Sequence, residues 1–202
     1  VETGQWFRGD EALRDNAVPQ GFPPLTAVPQ GVNSMLLTEL MPTKIDQMRG
    51  AIGLDRGFFG ETLPLADSQP GGIGMRAPCA IEYDLNQQFT QMTAFAAIIN
   101  PPESDICLSR QRGETIRFTI LGDNRKLAET TISWKNTTVP LAADLTGVKK
   151  LKLEAAPAGG PAWLHMGSAW ISPTLWRNPP TTAAEWVRQH TLQETPTPAA
   201  AD

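Results

Sequence analysis

The chain has 202 residues, of which 41% are hydrophobic and 19% charged, and its formal net charge is −4. This length is enough for one domain with a core and too short for two large domains. The 17 basic residues form no block, which argues against an electrostatic nucleic-acid binder. No apolar run reaches the roughly 18 residues that a membrane-spanning helix needs.

The first 34 residues carry little apolar surface and are punctuated by four prolines. Pro19, Pro23, Pro24 and Pro29 each remove a backbone donor and restrict the residue before them. We therefore predict that residues 1–34 form an irregular, proline-rich N-terminal extension.

The strand signal lies in residues 35–177. Residues 79–85 alternate between apolar and polar, which predicts a strand buried on one face, whereas residues 92–99 are apolar on both faces and predict a central strand. The Gly-Asp-Asn at 122–124, between alternating runs, is typical of a hairpin turn. Further strands are predicted at 139–143, 148–154 and 165–172, the first two joined by a turn at 144–147. Seven or more short strands with no helix between them favour an all-β, antiparallel sandwich.

The last segment, residues 178–202, changes character. Thr182 and Glu185 fit a capping box that opens a helix running to about Gln193. Trp186, Val187 and His190 share one face of this helix, so we expect it to dock on another surface. Residues 195–202 are typical of a linker-like tail.

Six segments, in order along residues 35–175, follow one known pattern. The strongest is Gly-Ile-Gly-Met-Arg-Ala-Pro-Cys-Ala-Ile-Glu-Tyr-Asp-Leu at 72–85, and the others are residues 36–40, 53–56, 116–123, 144–153 and Trp170. Together they resemble the NPCBM family, the novel putative carbohydrate-binding module. The resemblance implies a jelly-roll β-sandwich of the galactose-binding type, and a non-catalytic sugar-binding role in a secreted, periplasmic or cell-surface protein. The chain departs from the family pattern at Arg76, Cys79, Gly167 and Ala169, where the family has His, Ser, His and Asp.

A sugar site needs an apolar, preferably aromatic wall and a few placed polar groups. The loop tryptophans Trp163 and Trp134 are therefore the candidate platforms, and Arg76, His165 and Asp105 are the candidate polar partners. For each tryptophan the alternative is packing, since buried aromatic rings contribute much of a small domain's stability.

We prefer that packing alternative for Trp170 and Trp176, and we expect His190 to be structural.

The sequence lacks the usual catalytic motifs. There is no Gly-x-Ser-x-Gly elbow, no His-Glu-x-x-His and no phosphate-binding glycine-rich loop before a helix, so no catalytic residue is predicted. Glu82 and Asp84 share one strand face, which we interpret as a solvated edge rather than as the carboxylate pair of a glycosidase.

Metal binding is predicted only as an alternative. Calcium is bound by some jelly rolls of this type and needs six to eight oxygens. The acidic residues Glu39, Asp55, Asp105 and Asp123 are scattered, and Asp123 is best explained by its turn. No Cys/His spacing supports zinc, and no other cofactor is predicted.

The two cysteines, Cys79 and Cys107, leave two alternatives open: one disulfide bridge, or two separate buried thiols.

Two functions follow from these observations. The first is a carbohydrate-binding module of an exported protein that recognises a glycan at a loop site. The second is a structural or interaction subunit on the same scaffold, whose extended termini dock onto a larger protein assembly.

Overall fold

The computed structural model describes residues 31–47, 52–54, 57, 63, 71–99, 115–133, 138–159 and 167–193. Most of the predicted N-terminal extension and all of the linker-like tail therefore lie outside the described residues. The strands of the described part are β1 (Ser34–Leu36), β2 (Lys44–Gln47), β3 (Gly53–Leu54), β4 (Gly72–Arg76), β5 (Cys79–Asp84), β6 (Gln91–Ile99), β7 (Thr115–Gly122), β8 (Arg125–Ser133), β9 (Thr138–Asp144), β10 (Lys150–Gly159) and β11 (Gly167–Trp176). A short 3-10 helix (Leu37–Glu39) follows β1, and one α-helix, α1 (Ala183–Gln193), follows β11.

The strands form two antiparallel sheets. Sheet A has the order β3-β4-β11-β6-β9, with β1 also paired to β11, and sheet B has the order β2-β5-β10-β7-β8. Every described pair of strands is antiparallel. The predicted all-β antiparallel sandwich is therefore confirmed.

The inner faces of the sheets meet in one core. The alternation predicted at residues 79–85 is present: Cys79, Ile81, Tyr83 and Leu85 are all buried. In the middle of the sandwich Trp170 is fully buried and packs edge-to-face on Phe118, with ring centroids 5.3 Å apart. Trp170 is thus a core residue, as predicted from the sequence.

The hairpin predicted at residues 122–124 joins β7 to β8. Asp123 and Asn124 have φ of 50° and 64°, and Gly122 pairs with Arg125, as expected for a two-residue turn of the type that matches strand twist. The carboxylate of Asp123 also accepts the N–H groups of Lys149 (3.2 Å) and Lys150 (2.9 Å), which fixes the hairpin to the start of β10. This confirms Asp123 as a turn residue.

Strand β6 is buried on both faces, and α1 covers its outer side at Phe95. Thr182 caps the helix by accepting the N–H of Glu185 (3.3 Å), and the Trp186 ring lies 5.3 Å from the Phe95 ring of β6. Around this contact lies a second apolar cluster, formed by Leu63 with the sheet A residues Phe95, Ala97, Ile99, Ala169 and Ile171. The predicted docking of α1 is therefore confirmed, and its partner is the chain's own sheet.

The remaining aromatic predictions fall in the same region. His190 stacks on Trp186, with centroids 4.1 Å apart, and its Nδ1 lies 2.7 Å from the Trp186 carbonyl oxygen, so its packing is structural as expected. Trp176 is half-buried and donates its indole N–H to the hydroxyl of Thr93 at 2.9 Å.

The described helices are too short and too polar to cross a membrane.

Candidate functional site

Several described strands begin or end at one end of the sandwich. Arg76 ends β4 and pairs with Gly167, which begins β11 and also lies opposite Ile99, the end of β6. In sheet B, Thr115 pairs with both Ser133 and Gly159, so β7 begins where β8 and β10 end. The two sheets are joined here, because only Ala77 and Pro78 separate β4 from β5. We name this the Arg76 end.

The predicted sugar-site residues relate to this end in different ways. Arg76 is described, half-buried, at the end of β4. Asp105, Trp134, Trp163 and His165 lie outside the described residues, so their part in a site stays a prediction. The described strands that flank them in the chain, however, all have their nearest ends at the Arg76 end.

A buried amide fixes the backbone at Arg76. Gln47 is only 3% exposed, and its Oε1 accepts the backbone N–H of Arg76 at 2.9 Å. Because Gln47 belongs to sheet B and Arg76 to sheet A, this bond ties the sheets together. The hydroxyl of Ser168 likewise donates to the carbonyl of Met75 (3.1 Å), which holds β4 on β11. These two hydrogen bonds hold the strand ends that would position a site here.

Cys79 lies beside this point but has no feature of a nucleophile. It is a free thiol and 5% exposed. Burial, with a smaller contribution from the charge of Asp46, raises its pKa far above the usual value, so the thiolate does not form near neutral pH. Cys107 lies outside the described residues.

An open depression of about 540 Å³ lies on the outer face of sheet B next to the same end. Its lining includes Pro78, Ala80 and Ala156, and the charged side chains of Asp46, Lys152 and Glu154. In the strand register Ala80 stands between Asp46 and Glu154, so a methyl group is flanked by two carboxylates. We name this the Ala80 depression.

Negatively charged side chains outnumber positively charged ones in the described lining of the Ala80 depression. Lys152 and Glu154 form an ion pair with their nitrogen and oxygen 2.6 Å apart. This hydrogen bond, with the charges of Glu154, Glu82 and Asp46, raises the pKa of Lys152. The depression therefore presents more negative than positive charge and accepts hydrogen bonds more readily than it donates them.

Two of the four acidic residues in the calcium prediction are described, and each accepts backbone N–H groups. Glu39 accepts the N–H of Leu36 (3.3 Å) and Asp123 holds its hairpin, while Asp55 and Asp105 lie outside the described residues. Within the described ranges no three His, Cys, Asp or Glu side chains come together as a metal site.

Glu82 and Asp84 point to solvent from β5. This strand lies between β2 and β10, so it is an interior strand and not an edge strand.

Sequence reasoning missed both Gln47 and the Ala80 depression. Gln47 is a polar residue in a short strand, and its function depends on a partner 29 residues away. The depression arises from the register of three strands, which no local pattern contains. The only local signal was that Ala80 is a small residue on an otherwise charged strand face.

The model of the NPCBM/NEW2 domain family matches residues 33–175, more than two thirds of the chain. The chain therefore belongs to the NPCBM/NEW2 family, and its class is that of carbohydrate-binding modules.

Solved structures agree on the fold. The CBM51 of Clostridium perfringens GH95, solved in complex with methyl-galactose, is 22% identical, with a TM-score of 0.55 over 70% of this chain and 99% of that one. The tandem CBM51 modules of Sp3GH98, a family 98 glycoside hydrolase from Streptococcus pneumoniae, are 14% identical, with a TM-score of 0.57 over 80% of this chain and 52% of that one.

CBM51-2 of Clostridium perfringens ZmpB, solved with GlcNAc and INT domains, is 17% identical, with a TM-score of 0.57 over 71% of this chain. The chain spans only 31% of that multidomain structure. No curated protein matches this chain.

Proposed function

We propose that this chain is a non-catalytic carbohydrate-binding module that recognises a glycan at the Arg76 end. The observation that carries the proposal is the common position of the strand ends that flank residues 100–114, 134–137 and 160–166. Those three segments contain Asp105, Trp134, Trp163 and His165.

The chemistry of these residue types suits a sugar. An indole ring covers the C–H face of a pyranose, while guanidinium, imidazole and carboxylate groups bond its hydroxyls. Arg76 stands where the family pattern has histidine, so this chain offers a permanently charged donor at that position. We accordingly expect a preference for glycans with a carboxylate or several acceptor oxygens near the terminus.

The related structures supply further support. One CBM51 was solved with methyl-galactose and another with GlcNAc, so two modules with this fold bind hexoses. We propose export for this chain as well, because a module of this kind needs access to glycans outside the cell.

One observation that favoured the alternative function, an interaction subunit, no longer supports it. It rested in part on an apolar face of the C-terminal helix that had no partner in the sandwich. Trp186 and His190 of that face pack on Phe95 of the same chain, so the face does have a partner in the sandwich.

The experiment is a glycan array probed with the full chain, followed by calorimetric titration of the best glycan. We expect Trp163→Ala to abolish binding while the circular-dichroism spectrum is unchanged. Trp6→Ala, in the N-terminal extension outside the family match, is the matched control and should bind like the wild type. Unchanged binding by both Trp163→Ala and Trp134→Ala would place the site elsewhere.

A further inference from the structure

Charged side chains cover much of the outer face of sheet B. Lys44, Glu82 and Lys152 lie side by side on β2, β5 and β10, and Asp84 pairs with Lys150 at 4.0 Å. Towards β8 the cover continues with Arg117 and Glu129, 3.9 Å apart. These exposed pairs keep the face polar and solvated.

The cover is interrupted at Ala80 and Ala156. Both alanines are half-buried and point to the same side as Glu82 and Glu154. A methyl side chain fills much less space than its charged neighbours, which leaves the Ala80 depression open between them. Pro78, next to the Arg76 end, also lines it. The result is an apolar floor with charged groups at the rim, the general anatomy of a small-ligand site.

The rim selects for a positive charge. Asp46 and Glu154 flank the floor in register, and Glu82 is the next residue along the outer face of β5. Among the described lining residues the one cationic group, Lys152, forms an ion pair with Glu154, whereas no described residue forms an ion pair with Asp46. A ligand that brings its own ammonium group would find in Asp46 a charge-assisted acceptor.

The described floor contains no aromatic ring, so a neutral sugar would lack a stacking surface and its hydroxyls would compete with water. An ammonium group changes this balance, because its hydrogen bond to a carboxylate is stronger than that of a hydroxyl.

We propose that the Ala80 depression is a second binding site, selective for a sugar that carries a free, protonated amino group. The ammonium group lies at Asp46 and the ring lies over Ala80 and Ala156, with Glu154 accepting from a hydroxyl. This inference rests on the proposed function for the class of ligand, and adds a site on the sheet face to the one at the Arg76 end.

The experiment is an NMR titration of the full chain with glucosamine at about pH 6, where an aliphatic amino group is protonated. N-acetylglucosamine, which has the same ring without the charge, and lysinamide, which has the charge without the ring, are titrated in parallel. With glucosamine we expect saturable shifts at the amides of Ala80, Glu154 and Ala156, with a dissociation constant of about 1–10 mM.

Two variants test the geometry. Asp46→Asn removes the charge and should weaken glucosamine binding by about tenfold, and Ala80→Leu fills the floor and should abolish it. Asp84→Asn, on the same strand face but away from the depression, is the control and should bind like the wild type. All three sites are on the solvent side of the sheet, so folding is expected to persist and is checked by the dispersion of the spectrum.

Three results would overturn the proposal. Equal shifts with N-acetylglucosamine would remove the selectivity for charge, and equal shifts with lysinamide would remove the selectivity for sugar. Unchanged glucosamine binding by Ala80→Leu would show that the ligand does not bind over Ala80. If glucosamine fails to shift these amides while the array glycan still binds in a Trp163-dependent manner, the second site is wrong and the proposed function stands. If no array glycan binds in a Trp163-dependent manner and the shifts at Ala80 persist, the proposed function is wrong and the second site stands.

Discussion

Asn33, just before β1, and Asn178, just after β11, are joined by a reciprocal pair of hydrogen bonds. The Asn33 side chain donates its Nδ2 to the carbonyl of Asn178 (2.8 Å), and its Oδ1 accepts the backbone N–H of Asn178 (2.9 Å). The carbonyl of Asn33 accepts the N–H of Arg177 as well (2.8 Å). One side chain thereby satisfies two main-chain groups 145 residues away.

The first prediction concerns this pair. Asn33→Ala removes both side-chain bonds and should lower the free energy of unfolding by about 1 kcal/mol, because the bonds are exposed and water replaces them in part. Asn178→Ala is the matched control: its main-chain groups remain, so we expect a change below about 0.5 kcal/mol. Urea denaturation measures both, and equal effects of the two substitutions would contradict the assignment.

The second prediction concerns the contact of α1 with sheet A. Trp186→Ala removes the ring that packs on Phe95 and should destabilise the chain by about 2 kcal/mol, less than for a fully buried tryptophan because Trp186 is half-buried. Arg188→Ala, on the same helix, loses only an exposed ion pair to Glu185 (3.5 Å) and should cost less than about 0.5 kcal/mol. Thermal unfolding is the measurement. If the midpoints of the two variants coincide, the helix does not stabilise the sandwich.

The third prediction concerns acid stability. The N–H groups of Lys150 and Lys149 lower the pKa of Asp123 below its usual 3.8. Because the folded pKa is the lower one, the stabilisation is present above the unfolded value and is lost as the pH falls through the folded value, below about pH 4. The same direction holds for Asp144, whose pKa is lowered by its hydrogen bonds to Thr146.

Asp123→Asn should therefore be less stable than the wild type at neutral pH, and the difference should shrink below about pH 4. Denaturant midpoints measured across this range test it. Asn124→Gly changes the same turn but keeps the carboxylate, so its pH dependence should follow that of the wild type. A constant gap between Asp123→Asn and the wild type would mean that the carboxylate charge has no part in the effect.

The fourth prediction concerns Cys79. Because its thiol is buried and its pKa raised, alkylation in the native state should be more than about a hundredfold slower than in denaturant. The variant Cys107→Ala isolates this thiol for mass spectrometry, and Cys79→Ala is the matching control. Rapid labelling of Cys79, or a peptide that links Cys79 to Cys107 in the non-reduced wild type, would contradict the prediction.

Local patterns predicted much of the fold. Alternation at residues 79–85 and the two-faced apolar run at 92–99 indicated how deeply β5 and β6 are buried, because burial follows directly from period-two spacing. The turn at Asp123 and Asn124 was predicted for a similar reason, since few residues adopt positive φ. Thr182 and Glu185 marked the start of α1 within one residue.

Pairings between distant residues were not predictable in this way. The turn at residues 144–147 looks like another hairpin, yet β9 pairs with β6 in sheet A and β10 with β5 and β7 in sheet B. Nothing in the sequence places Asp46 beside Ala80, or Gln47 against the backbone of Arg76. Such relationships depend on register across strands, which loop lengths and core packing set together.

The position of the Asn33–Asn178 pair determines how the module would be oriented when tethered. Strand β11 runs from Gly167, opposite Arg76, to Trp176, opposite Ser34. The Asn33–Asn178 pair therefore lies at the end of the sandwich opposite to the Arg76 end. A fusion partner or sensor surface attached just before Asn33 would therefore leave the Arg76 end facing away from the attachment. The same neighbourhood of residues 33 and 178 would let this sandwich be spliced into an exposed turn of a host protein without stretching either junction.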